Sequence, residues 1–431
     1  MIARMYLAWI RVANSLWALP IILVIAAIGL AVLAAILPIE PRANPVWWLY
    51  SGSATAAAGF LANLLTAMIT MTTLAISITM VVLTLAAQSL GPRLIQIFMA
   101  DTRTKLVLGL YFGTVVYLLI VLRSVVGDTE TVPNLAVTLG AALVLASVVV
   151  LLFFVHHLAS SIVADTIIDR VGATLDGWIA EAFPVEDNDA SAANEAKTTP
   201  DVKGRSFAIK DTGYIQAIAH DDVVAAAREA DAVVRFAVRP GHFVLRDDIV
   251  GWVTPATALD DDFCETILGT FFSGDGRTPV QDIEYPIRQL VEIALRALSP
   301  GINDPYTASA VIDRLAGSIA AIMARGAQRT CWHDEDDVLR LVVPSAQFDG
   351  ILDAAFNEIR QAGASQPAVL IRLADRFGQL IAHAVPDQAR EIGRHLELLR
   401  KTGERAIGDE ADQKTLSERI DLALKQQPFA G

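Results

Sequence analysis

The chain has 431 residues, of which 54% are hydrophobic and only 19% charged. Soluble domains carry about 25% charged residues, so this composition points to a membrane. A formal net charge of −13 excludes the basic footprint that nucleic-acid binding needs. The two cysteines, Cys264 and Cys331, lie far apart with no CxxC pairing, which excludes a disulfide framework and gives no zinc signature.

Apolar character is concentrated in the first 158 residues, where charge-free windows run over 12–39, 43–92, 106–122 and 131–155. A hydrocarbon core of about 30 Å takes about 20 helical residues. Four spans are therefore predicted near 17–37, 60–87, 106–125 and 134–156. The third window is short, and Arg123 is expected to snorkel at its end. Trp9, Trp17, Trp47, Trp48 and Tyr50 fall where interfacial aromatics belong. Arg4, Arg11, Arg93, Arg103 and Lys105 flank one side of the spans, against Arg42 and Arg123 on the other. This excess puts both termini in the cytoplasm of a bacterial inner membrane. The first span is too long for the apolar core of a cleaved signal peptide and reads as a retained anchor.

The second span is rich in hydroxyls. At about 100° per residue, Asn63, Thr66, Thr70, Thr73, Ser77, Thr84 and Gln88 share an arc of about 80°. Thr72 and Thr79 lie roughly opposite. Two readings fit. The hydroxyls can pack against neighbouring helices and their own carbonyls, or they can line a wet path through an oligomer. With no ionisable residue in the stripe, a proton relay or charged filter is not expected there. In the third span, Gly109 and Gly113 form a GxxxG that admits a close helix partner, as in tight bundling or oligomerisation. His156 and His157 mark the end of the fourth span.

An amphipathic helical extension over 159–185 follows, with Ile168, Val171, Leu175, Trp178 and Ala182 at helical spacing. Residues 186–204 are polar and read as a linker. A small mixed α/β unit is predicted over 205–258: a strand from Gly213, a helix capped by Asp221, and a strand–turn–strand about Pro240-Gly241. From 259 to 431 the pattern is mostly helical, with one strand at 339–343 and closing helices over 346–362, 366–384 and 387–425. A helix over 283–298 carries Arg288, Glu292 and Arg296 at i, i+4 and i+8. That spacing suits a salt-bridge ladder or, with the flanking loops, an anion or partner site. Asp282 before the helix and Asn303 and Asp304 after it complete the candidate ligand set, although Asp304 and Pro305 also suit a helix cap. GDGR (274–277) lacks the ending of a phosphate-binding P-loop. His333 beside the acidic run 334–337 reads as a solvated loop. No catalytic motif, cofactor fingerprint or metal-ligand spacing is present.

The chain resembles the domain-of-unknown-function 2254 family, a group of predicted bacterial membrane proteins. The matching stretches are QSLGPRLIQIFMAD (88–101), GYIQAI (213–218), VRPGHFV (238–244) and QDIEYPIRQLVEIALRALSPGINDPYTA (281–308). The resemblance implies four spans followed by a cytosolic domain and supplies no catalytic residues. The expected fold is thus a membrane all-α region with four transmembrane helices. A cytosolic α+β domain with a small β unit and a helical C-terminal part follows. The expected function is an oligomeric channel lined by the second span, without a cofactor or a metal, in a homo-oligomer set in the lipid bilayer. The alternative is a membrane-tethered sensor or scaffold that binds a small anionic ligand or a partner protein.

Overall fold

The structure is a computed structural model and describes residues 17–36, 48–90, 98–99, 101–127, 132–161, 163–183, 204–326 and 328–426. Arg4, Arg11, Arg42, Arg93, Trp9, Trp47 and residues 186–203 of the predicted linker lie outside the described residues. The chain divides into two compact units, Met1–Val163 and Ala164–Gly431.

Among its described residues the first unit contains four long helices: α1 (Ala18–Ile36), α2 (Ala54–Leu90), α3 (Thr102–Gly127) and α4 (Asn134–Ser161). Pro20 is tolerated because it lies in the first turn of α1, where its missing N–H would have no helical partner. Helix α3 starts earlier than its charge-free window implied. Asp101 caps it by accepting from the Thr104 backbone N at 3.1 Å and from Thr104 Oγ1 at 2.8 Å. The same carboxylate meets His157 Nε2 of α4 at 2.9 Å, so this histidine ties two helices together. The core joins Leu61, Met68 and Ala75 of α2 to Tyr117, Leu118 and Val121 of α3 and Val137 and Val144 of α4. Buried Tyr117 donates its hydroxyl to the Ala136 carbonyl at 2.9 Å, which satisfies a polar atom that would otherwise be stranded.

The GxxxG of α3 is used within the chain. A Cβ on Gly109 would stand 2.5 Å from Leu23 Cδ1 and 3.0 Å from Pro20 Cα, and one on Gly113 would stand 3.3 Å from Ala27 Cβ. Helix α1 therefore fills the close approach that these glycines allow.

The second unit opens with α5 (Ala164–Ala182). Helix α4 ends at Ser161 and α5 begins at Ala164, within the stretch expected as a helical extension over 159–185. Ile167, Ile168, Val171, Leu175 and Ile179 form the buried face of α5, while Trp178 and Ala182 are only half-buried.

Eight strands follow among the described residues: β1 (Arg205–Ala208), β2 (Gly213–Ile218), β3 (Val233–Phe236), β4 (Phe243–Val244), β5 (Ile249–Thr254), β6 (Phe271–Gly274), β7 (Cys331–His333) and β8 (Leu339–Val342). They make a five-stranded sheet, ordered β1-β5-β3-β8-β7, and a three-stranded sheet, ordered β4-β2-β6. Two expectations are corrected. The expected strand at 339–343 is present as β8, but β6 and β7, which were not expected, also help to complete the sheets from beyond 205–258. The strand–turn–strand about Pro240-Gly241 is not a hairpin: β3 pairs with β5 and β8, whereas β4 pairs with β2. The Pro-Gly turn carries the chain from one sheet to the other. Short helices α6 (His220–Glu229) and α7 (Asp261–Leu268) accompany the sheets, and Ile215, Val223, Val234, Val253, Ile267 and Leu341 share their core. The cap of α6 is Ala219, so Asp221 lies in the first turn and does not cap it.

The remaining helices are α8 (Glu284–Ala297), α9 (Pro305–Arg325), α10 (Phe348–Ala362), α11 (Pro367–Ile381), α12 (Pro386–Ala406) and α13 (Glu410–Lys425). Each of α8, α10, α11 and α12 buries one apolar stripe, and Phe356 meets Phe377 edge-on at 5.0 Å between centroids. The acidic run 334–337 is the β7–β8 turn. Asp334 accepts from the backbone of Asp336 and Val338 and pairs with Arg340 at 2.7 Å. Arg228 holds Glu335 and Asp336.

Candidate functional site

In the first unit, Asn63, Thr66, Thr70, Thr73, Ser77, Thr84 and Gln88 are all exposed on α2. The buried positions of α2, among them Leu61, Met68, Thr72, Ala75, Val82 and Ala86, centre about 180° round the helix. The stripe thus takes no part in packing the bundle of its own chain. Thr66, Thr70, Thr73 and Thr84 each donate the hydroxyl proton to the carbonyl four residues earlier, at 2.8–3.0 Å. With the proton committed inward, what each Oγ1 offers outward is lone pairs. From Asn63 to Gln88 the stripe is about 38 Å long at about 1.5 Å per residue, longer than a hydrocarbon core of about 30 Å. Apolar Ile69, Leu74, Met80, Val81 and Leu85 are exposed beside it.

In the second unit, three of the motif stretches converge. The turn 239–242 brings Arg239, Gly241 and His242. The loop after β6 brings Arg277, and the segment before α8 brings Asp282 and Glu284. Asp282 is 1% exposed and receives Arg277 through both arms of the guanidinium, Nε–Oδ2 at 2.7 Å and Nη2–Oδ1 at 2.8 Å. Its Oδ1 also accepts from the Glu284 backbone N at 3.1 Å. Glu284 pairs with Arg239 at 2.5 Å, with Arg277 at 3.5 Å and with Arg288 at 3.7 Å. Gly241 has φ +92°, and a Cβ there would stand 2.5 Å from Asp282 Oδ2, so both backbone and space require glycine.

Electrostatics follows the pairing. Burial pushes the Glu284 carboxyl up, but Arg239, Arg277 and Arg288 outweigh it and hold it below the usual range. Burial disfavours the Arg277 cation, and Asp282 and Glu284 reverse that. Burial, then the Arg239 charge, lowers His242. The cluster is self-neutralising, each acid facing a guanidinium, which is the chemistry of a clamp between loops and not of an open anion seat.

The predicted cytosolic set does not converge. Asp282 and Arg288 join this network at the start of α8. Arg296 is exposed in the last turn of α8, about 20 Å along a helix of 14 residues. Glu292 lies between the two ends, half-buried, and Arg288 pairs back to Glu284. Asn303 has φ +50° and accepts from Gln366 at 2.8 Å. Asp304 caps α9 through the Tyr306 and Thr307 backbone nitrogens and Thr307 Oγ1, and these bonds hold its carboxyl below the usual range. A rigid helix separates the groups that sequence proximity seemed to gather. Sequence reasoning missed Arg239, Arg277 and Glu284. The available signal was that RPGH and GDGR pair Gly with charge in loops, while QDIE places two acids at the start of a helix.

Long apolar helices joined to a mixed α/β unit define an α-helical membrane protein with a large appended domain. The chain belongs to the DUF2254 family of predicted membrane proteins, whose family model matches residues 13–378. It is similar to the uncharacterized protein Mb1321c of Mycobacterium bovis, 28% identical over 411 residues, which are 93% of this chain and 78% of that protein. Its similarity to the uncharacterized protein Rv1290c of Mycobacterium tuberculosis has the same identity and coverage. No solved structure matches the chain.

Proposed function

We propose that the protein is an oligomeric conduit of the bacterial inner membrane, lined by the outward stripe of α2 and assembled or gated by the second unit. One observation carries the reading: all seven stripe residues are exposed on the face of α2 opposite its buried one. A face turned away from its own bundle meets lipid or another copy, and ring symmetry gathers such faces about a common axis. Because the threonine protons are committed to backbone carbonyls, the lining offers acceptors, which suit water and cations better than anions.

Five helices among the described residues are long and apolar enough to cross a membrane, namely α1 to α4 and α9. In this reading only the first four cross. Helix α9 carries Asp313, paired with Arg372 and Arg376, and Arg314, paired with Asp176, and these ion pairs suit an aqueous domain. The excess of Lys and Arg on one side of the spans supports cytoplasmic termini.

The test is reconstitution of the purified chain in planar bilayers, with Thr70→Leu and Thr73→Leu as comparisons. The reading expects a cation-preferring conductance that both variants reduce. Equal currents in the variants, or no current in any common salt, would count against it.

A further inference from the structure

We infer that a groove in the second unit, beside Arg235, is a binding site for a small organic carboxylate. Its volume is about 460 Å³, within the range of small-molecule pockets. It lies where β3 and β8 approach the ends of α5, α9 and α10. Residues 183–388 supply all of its lining, so it belongs to one unit.

Its chemistry is asymmetric. Arg235 is the one charged side chain among the described lining residues, and no Asp or Glu joins it there. Arg235 is half-buried on β3, between β5 and β8. Arg228, Arg239, Arg277, Arg288, Arg314, Arg340, Arg372 and Arg376 each have a carboxylate partner, whereas Arg103, Arg123 and Arg296 are exposed. Arg235 has neither an ion pair nor a side-chain hydrogen bond among the described residues, and unlike Arg103, Arg123 and Arg296 it is not exposed. A half-buried guanidinium with open donors favours a planar, two-oxygen acceptor, the geometry of a carboxylate. Thr330, Gln347 and Gln388 add polar groups to the wall, while Phe183, Ile322 and Ile351 give it an apolar side. One cation with an apolar wall selects a monoanion with a hydrocarbon or aromatic body. A bare, multiply charged oxyanion would lose its hydration without matching charge.

This site is independent of the conduit, because binding is read without conductance. The experiment is isothermal titration of the full chain in lipid nanodiscs with 4-phenylbutyrate, its neutral amide and inorganic phosphate. The expected result is saturable binding of one phenylbutyrate per chain, with the amide and phosphate at least tenfold weaker. Arg235→Gln should weaken phenylbutyrate at least tenfold, and Arg235→Lys should weaken it less. Ser345→Phe, which fills the groove without touching the charge, should also abolish binding, and it decides the matter if Arg235→Gln does not fold. Equal binding of acid and amide, equal binding of phosphate, or retention of phenylbutyrate by folded Arg235→Gln or Ser345→Phe would overturn the assignment. So would the lack of saturable binding.

Discussion

Removing the carboxylate of Asp282 should destabilise the second unit more than any exposed charge change in it. Asp282 is 1% exposed and holds Arg277 with two bonds, at 2.7 and 2.8 Å, and the Glu284 backbone with a third. Breaking a buried pair from one side costs about 3–5 kcal/mol, because the surviving charge is left uncompensated. Here the cost is lower, since the Arg277 side chain is 20% exposed and Glu284 remains 3.5 Å away. For Asp282→Ala we therefore expect about 2–3 kcal/mol, scaling down the cited range. At about 2 °C per kcal/mol for a unit of this size, Tm falls by about 4–6 °C. Asp304→Ala, which removes only a helix cap, should cost about 1 kcal/mol and about 2 °C. Differential scanning fluorimetry of the full chain in nanodiscs supplies the comparison. Hydrogen exchange should place the loosening at 239–242 and 274–284. A melting point for Asp282→Ala within 1 °C of the parent, or a larger loss from Asp304→Ala, would refute the view of this cluster as a clamp.

Three further outcomes follow from the geometry. Gly241→Ala should destabilise at least as much as Asp282→Ala by the same assay, since φ +92° and a Cβ 2.5 Å from Asp282 Oδ2 act together. Gly109→Val should drive α1 from α3, measured as loss of a cross-link between cysteines placed on those helices; retention of the cross-link would contradict the packing described. The chain should also lose stability in acid. Burial, then the Arg394 charge, pushes His395 down to about 4, and burial pushes His220 down to about 4. An unfolded histidine takes its proton below about 6.5, whereas the folded one resists until about 4. Stability is therefore complete above 6.5 and falls between 6.5 and 4, by up to about 1.4 kcal/mol per pH unit for each group. His395→Gln should flatten the Tm profile between pH 6.5 and 4.5; a profile parallel to the parent would exclude the assignment.

The long helices were legible because a span needs an unbroken apolar run, and the chain supplies four in its first 158 residues. Where capping decides the boundary, as at Asp101, hydropathy alone misplaced it. The outward stripe was legible by periodicity, yet only the packed bundle reveals that Leu61, Met68 and Ala75 take the opposite face. The sheets were less visible. Strands β6 and β7 have only 4 and 3 residues and show too few alternations to stand out from helical surroundings, whereas β8 was legible at 339–343. The Pro240-Gly241 turn resembles a hairpin locally, and only long-range pairing distinguishes a crossing between sheets. The ligand set went astray because residues adjacent to one helix were treated as adjacent in space. Arg235 lay in plain view within VVRF, a lone charge in a β-branched strand. Its significance depends on the absence of an acid across the groove, which no single sequence displays.

The most direct test of the conduit is water access to α2 in the assembled protein. In a background with Cys264 and Cys331 replaced by serine, single cysteines at Thr70 and Ser77 are exposed in native vesicles to a membrane-impermeant thiol reagent. Cysteines at Ala75 and Leu74 serve as buried and lipid-facing controls. The account predicts rapid labelling at Thr70 and Ser77 and none at the controls. Protection at Thr70 and Ser77 equal to that at Ala75 would show that the hydroxyl face is dry and contradict it.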